Sequence, residues 1–359
     1  MADPRSKQPD YLIIGQGIAG SVMAWQILLS GQTCHVFDIP NPHSASRVAG
    51  GILDPIAGQR YFQAWKADIT FPYALAFYQK IQAQLPHPFL HAKPTRRFFS
   101  TPQEKNQWIT RQKNPSISAY FPYPPEWKSI SGLLHVTESV LTPDTHYIDT
   151  ALFLDQTRDM LKEQNAWTER LFDPETTPLQ PHQKIIWCQG HLGSQNPLFS
   201  HLRWNHSKGN LLTLKIPELP HSEILHHGKW ILPIGNQCFK AGSTFQSYYT
   251  TESPDQDAKA EILEALQTWI KAPFTLQAHQ AGIRPISIDN KPILGKHPIQ
   301  PQHVLFNALG SRGLTLAPYF AQALLTHLNE DTPLDPEVDI NRKALRPKME
   351  VQTKTTPPA

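Results

Sequence analysis

Three glycines, Gly15, Gly17 and Gly20, follow a short apolar run and lead, 18 residues later, to a single acid, Asp38. That series suits a dinucleotide. Gly15 can take the tight turn out of a strand, Gly17 lets backbone amides approach a pyrophosphate, and Gly20 lets the next helix pack closely on the sheet. Ile18 and Ala19 open that helix, so their amides face the phosphates at the positive end of its dipole. Asp38 can accept hydrogen bonds from both ribose hydroxyls and would repel a 2′-phosphate. NADP is therefore disfavoured, while FAD and NAD fit these residues equally.

The elements that must position these groups are legible in the same stretch. Tyr11–Ile14 reads as a strand, the helix runs from Ile18 to about Ser30 with Val22, Trp25, Gln26 and Leu29 marking its turns, and Gly31 ends it. A second strand, Thr33–Phe37, delivers Asp38. Near the other end of the chain, His303–Phe306 reads as a strand, a glycine turn spans Gly310–Gly313, and a helix follows with apolar residues at 317, 320, 321, 324, 325 and 328, Pro318 falling in its first turn. Both chain ends thus aim a glycine-flanked helix start at something electron-rich. Between them lies "SASRVAGGILDP", Ser44–Pro55, in which Gly50 and Gly51 let a backbone lie close to a flat ring and Ser46 and Arg47 can donate to pyrophosphate oxygens.

The 359 residues suffice for one large or two ordinary domains. Net charge is +3 with 17 histidines counted neutral, and the basic residues are scattered, so no continuous footprint for nucleic acid or anionic lipid appears. Cys34, Cys188 and Cys238 lie far apart, as expected of buried free thiols in a reducing compartment. His221, His226 and His227 lack a second cluster at ligand spacing, so they read as part of a solvated hairpin loop before a Lys229–Ile234 strand, and no metal site is expected. The N-terminus has no signal-peptide core and no apolar run reaches about 18 residues, which points to a soluble cytoplasmic protein without membrane contact. The 34 prolines cluster between elements, as in "PYPP" at 122–125, and imply long irregular connections.

Taken in order, "SRVAGGILDP", "GLLHVTESVLTPDTHYIDTALFLDQ" (132–156), "IIWCQG" (185–190), "AGSTF" (241–245), "AGIRP" (281–285) and "GSRGLTLAP" (310–318), together with the N-terminal glycines and Asp38, resemble the FAD-dependent D-amino acid oxidase superfamily, which includes glycine and sarcosine oxidases. The resemblance implies an α/β fold: a Rossmann-like FAD-binding domain assembled from discontinuous segments, about 9–85, 145–210 and 282–345, plus a mixed-sheet α+β substrate (cap) domain from 86–144 and 211–281. Cap strands are expected at Thr95–Phe99, Leu133–Thr137, Leu211–Ile216 and Phe239–Thr244, and 346–359 as a flexible tail.

It further implies noncovalent FAD, since no C-terminal cysteine offers an attachment point. Gly190, Gly310, Ser311, Arg312, Gly313, Leu314 and Thr315 would bind the cofactor, the last six against the ring's pyrimidine edge, where amides and a helix dipole stabilise anionic reduced flavin. Arg284 matches the arginine that grips a substrate carboxylate, and its planar guanidinium beside the stiff Pro285 is well made for bidentate capture. A structural arginine bonded to backbone carbonyls is the other reading of Arg284. The implied reaction is hydride transfer from the carbon beside an amine to flavin N5, giving an imine that water hydrolyses, with oxygen reoxidising the flavin to hydrogen peroxide. Tyr248, Tyr249 and His279 are candidates for shaping the cavity, though packing and structural roles fit them as well. Arg60, Trp65 and Lys66 are placed to line an entrance or to form a docking face for the cap.

Two other functions remain open. One is an oxidase of a carboxymethylaminomethyl-uridine base in tRNA, which would need Arg96, Arg97, Lys105 and Arg111 to gather as a basic surface on the cap. The other is a flavin-binding protein without turnover, its cavity filled by its own aromatic side chains. The amine, the electron acceptor and the oligomeric state are not written in the sequence.

Overall fold

The computed structural model describes residues 8–346 apart from 59–60, 122–125, 128–129, 135–137, 175, 178–179 and 182. The central strand, Tyr11–Ile14, is apolar and buried at every position, as a strand covered on both sheet faces must be. It sits within a six-stranded sheet of order Trp167–Glu169, Cys34–Asp38, Tyr11–Ile14, Lys184–Trp187, His303–Asn307 and Ile293–Lys296. All neighbours are parallel except the last pair.

The first helix, Ile18–Leu29, buries Ile18 and every residue from Gly20 to Ile27, because the Gly313–Glu330 helix packs against it. In that second helix Ala317, Phe320, Ala321, Leu324, Leu325 and Leu328 are all buried, as their spacing predicts. Pro318 lies deeper than the expected first turn, and its missing N–H would leave the Leu314 carbonyl without a donor. The buried Tyr78 hydroxyl donates to that carbonyl at 3.0 Å, while Gln26 Nε2 donates to the Pro318 carbonyl at 2.9 Å.

An eight-stranded mixed sheet has the order Thr275–Arg284, Ser207–Lys215, Cys238–Gly242, Lys229–Gly235, Ile224–His227, Thr95–Phe98, Glu138–Thr142 and Glu126–Trp127. Only Ile224–His227 and Thr95–Phe98 pair parallel. A smaller sheet joins Ile52–Leu53, His146–Ile148 and Leu90–Ala92. The fold is α/β with a large mixed sheet. The expected segment boundaries at 210/211 and 281/282 fall inside the two longest strands, Ser207–Lys215 and Thr275–Arg284, which pair with each other.

Several expectations shift. His226 and His227 lie in a strand and not in a solvated loop; Gly228, at φ +71°, makes the turn. Burial pushes the His226 imidazole down to about 3, so it is neutral. Of the strand expected at Leu133–Thr137, residues 135–137 lie outside the described residues, Leu133 forms an isolated bridge to Ile270, and the regular strand begins at Glu138. The "PYPP" segment and residues 347–359 also lie outside the described residues. No described helix is long and apolar enough to cross a membrane.

Candidate active site

Where the two large sheets meet, residues of both line a cavity of about 450 Å³. Its wall near Asp38 combines Gly15 and Gly17 with Phe37, Ile39, Leu171 and Phe172. Gly15 has φ +98°, and a Cβ there would stand 2.7 Å from the Cys188 carbonyl oxygen. A Cβ on Gly17 would meet Ser46 Oγ at 2.9 Å, the same oxygen that accepts from the Ile18 N–H at 3.0 Å. Gly20 does not line the cavity; its Cβ would strike the Gly15 carbonyl oxygen at 1.9 Å, so this glycine serves helix packing. Ile18, Ala19, Ser46 and Gly190 line the wall, and the Gly190 carbonyl accepts from Asn307 Nδ2 at 2.9 Å.

Asp38 lines the cavity and accepts from the Gln16 N–H at 2.9 Å. Burial raises its carboxyl above the ordinary carboxylate range, against the opposing pull of that amide and of Arg158 and Arg47. Arg47 itself does not line the cavity, because its guanidinium pairs with Asp155.

At the other end Gly50, Gly51, Gly310, Ser311, Arg312, Gly313 and Leu314 line the wall, with Thr315 buried behind it. Gly51, at φ +82°, could carry no Cβ, since the Ile148 carbonyl oxygen would lie 2.0 Å away. Trp230 packs on Gly50 so closely that a Cβ would sit 2.5 Å from its ring, and it lines the cavity. No local pattern pointed to Trp230. Ser243, which also lines the wall, lies within the "AGSTF" segment and carried a signal.

Arg284 ends the Thr275–Arg284 strand and lines this end of the cavity. Its Nη1 donates to the Thr244 carbonyl at 3.2 Å and its Nη2 to Ser243 Oγ at 3.0 Å, and Phe245 lies 5.6 Å from its guanidinium carbon. Burial works against its charge. A guanidinium has five N–H donors; among the described residues only two of those in Arg284 find a partner, and no carboxylate pairs with it.

The remaining side chains expected near substrate are not brought to the cavity. His279 shares a strand with Arg284 at an odd separation, so the two point to opposite sheet faces. It bonds Asn210 Oδ1 at 3.0 Å instead, and burial lowers its imidazole below the usual range. Tyr248 is 96% exposed, and Tyr249 is half-buried outside the lining. Trp65 stacks on Phe320 at 5.5 Å and Lys66 pairs with Asp335 at 2.6 Å, so neither forms an entrance; Arg60 lies outside the described residues. Arg96 and Arg97 are buried against Glu223 and Asp54, Lys105 pairs with Glu138, and Arg111 lies over the Phe62 ring at 4.0 Å, so these four do not gather into a free basic surface.

Cys34 and Cys188 are buried and Cys238 half-buried, all free thiols; burial pushes Cys34 up to about 12 and Cys188 higher still. Among the described residues no group of three His, Cys, Asp or Glu side chains is placed to hold a metal ion.

The cavity fits a dinucleotide. Neither flanking helix carries an acid in its first turn, so apart from the Ile18 N–H, which donates to Ser46 Oγ, their N-terminal amides stay available to anions, and the glycines leave room that a Cβ would fill. A family model described as FAD dependent oxidoreductase (DAO) matches residues 10–327. Glycine oxidase from Bacillus subtilis is 29% identical over 115 residues, a match that spans 31% of this chain and only 31% of that relative's length. Among solved structures, iminodiacetate oxidase from Chelativorans sp. BNC1 superposes with a TM-score of 0.71 at 17% identity, covering 91% of this chain and 98% of the other. Glycine oxidase from Geobacillus kaustophilus gives 0.72 at 14%, covering 91% and 95%, and L-amino acid deaminase from Proteus vulgaris 0.71 at 13%, covering 95% and 99%. With the motif order, the sheet topology and the family match in agreement, the chain belongs to the DAO family of FAD-dependent oxidoreductases.

Proposed function

We propose that this protein oxidises the C–N bond of a small amino acid or secondary amine that carries a carboxylate, with oxygen as terminal acceptor. The observation that carries the reading is Arg284: a largely buried cation in the cavity wall with donors to spare and no carboxylate partner among the described residues. An uncompensated charge out of water is costly, so an anionic ligand completes it. The names of the relatives, glycine oxidase and iminodiacetate oxidase, agree with such a substrate.

In this reading Gly15, Gly17, Ile18, Ala19, Ser46, Gly190 and Asp38 hold the dinucleotide half of FAD noncovalently, and Gly50, Gly51, Gly310, Ser311, Gly313 and Leu314 the ring. FAD supplies the two-electron acceptor for the hydride leaving the carbon beside the amine. The chain's own residues bind and orient: Ser243 Oγ and the Thr244 carbonyl fix the guanidinium plane, and Arg284 then fixes the substrate carboxylate. Trp230 narrows the cavity over Gly50 and helps exclude water. With a neutral amine, orientation and dryness are the main catalytic terms, and the imine hydrolyses after release.

Anaerobic addition of amino acids and N-substituted glycines to the purified yellow protein tests this. Bleaching of the flavin absorbance in the wild type, with Arg284→Ala raising the concentration needed, supports it. Absence of bleaching across the panel, or an unchanged concentration dependence in Arg284→Ala, contradicts it.

A further inference from the structure

Two arginines, from different sheets, stand in the wall at the Trp230 end. Arg284 comes from the long strand of the eight-stranded sheet, and Arg312 from the turn after His303–Asn307 of the six-stranded one. Among the described residues Arg312 has no hydrogen bond and no ion pair. Burial opposes its charge; Asp54 favours it from a distance, but Asp54 already pairs with Arg97, which in turn opposes it. Neither Asp54 nor Arg97 lines the cavity, and among the described residues no carboxylate pairs with Arg312. One substrate carboxylate on Arg284 leaves Arg312 unmatched.

We propose that Arg312 forms a second anion subsite in this cavity, so that the substrate class is an amine or amino acid bearing two acidic groups, one held by each guanidinium. The inference rests on the reading of Arg284 given above. It gives Arg312 a ligand other than the flavin ring.

Succinate, glutarate and their monoamides, titrated into the FAD-loaded protein with flavin absorbance as the readout, test the subsite without turnover. Each diacid is expected to bind at least about tenfold tighter than its monoamide, the size of one charge-assisted contact. Arg312→Met should bring that ratio close to one, and Arg312→Lys should retain most of it, with FAD content measured for each variant. A wild-type ratio near one overturns the proposal and needs no variant. So does a ratio that survives Arg312→Met, or an Arg312→Met protein that loses FAD affinity while keeping the ratio. If the diacids show the ratio while no amine bleaches the flavin, the subsite stands and the proposed oxidation fails; bleaching by monocarboxylate amines with a ratio near one has the reverse meaning.

Discussion

At the Asp38 end Gly15 and Gly17 bring backbone into the cavity wall, and Cβ atoms added to them would strike a carbonyl and a hydroxyl oxygen at 2.7 and 2.9 Å. At the Arg284 end the recognition groups are side chains, Trp230, Ser243 and Arg284, each delivered by or beside a strand of another sheet. At those two positions the first end tolerates no side chain, a constraint common to dinucleotide sites. The second sets variable side chains beside its own restricted glycines, Gly50 and Gly51, and is where substrate choice can vary while the fold stays the same.

Substitutions at the two ends test this difference. Gly20→Ala should act most strongly, because its Cβ would lie 1.9 Å from a backbone oxygen that cannot yield; a loss of about 3 kcal/mol, with FAD content falling in parallel, is expected in denaturant unfolding. Arg284→Ala should lower kcat/KM for carboxylate amines by on the order of a hundredfold, about 3 kcal/mol, while leaving the melting temperature near wild type.

Asp38→Asn should weaken FAD by about tenfold in equilibrium dialysis, through loss of charge-assisted hydrogen bonds. The same substitution has an opposite effect on the FAD-free fold. Burial raises the Asp38 carboxyl above its unfolded value of 3.8, so its contribution to stability is full below that value and lost as pH rises through the raised one. Melting of FAD-free Asp38→Asn should therefore exceed wild type at neutral pH, with the gap closing in acid. Tyr248→Phe should be the smallest change, within about 0.5 kcal/mol in stability and without effect on kcat/KM, since the ring is 96% exposed.

The same contrast explains what the sequence disclosed. The strand, glycine turn, helix and acid of residues 11–38 are contiguous, so local rules locate them within a residue or two, and the Gly313–Glu330 helix follows from its apolar spacing. Trp230 stayed hidden because Gly50, on which it packs, lies far from it in the chain, beyond any short window. His279 was legible in principle: five residues from Arg284 on one strand, its side chain must face away. Arg47 was not, because Asp155, which claims its guanidinium, lies over a hundred residues further on.

The most direct measurement sets glycine-type amines against their amides, in which the carboxylate alone is removed, in anaerobic titrations of the FAD-loaded protein. Bleaching by the acids at concentrations at least about tenfold below those of the amides, with that preference abolished in Arg284→Ala, is the predicted result. Equal bleaching by acid and amide, or a preference that persists without Arg284, would contradict the claim that this unpaired guanidinium recognises the substrate.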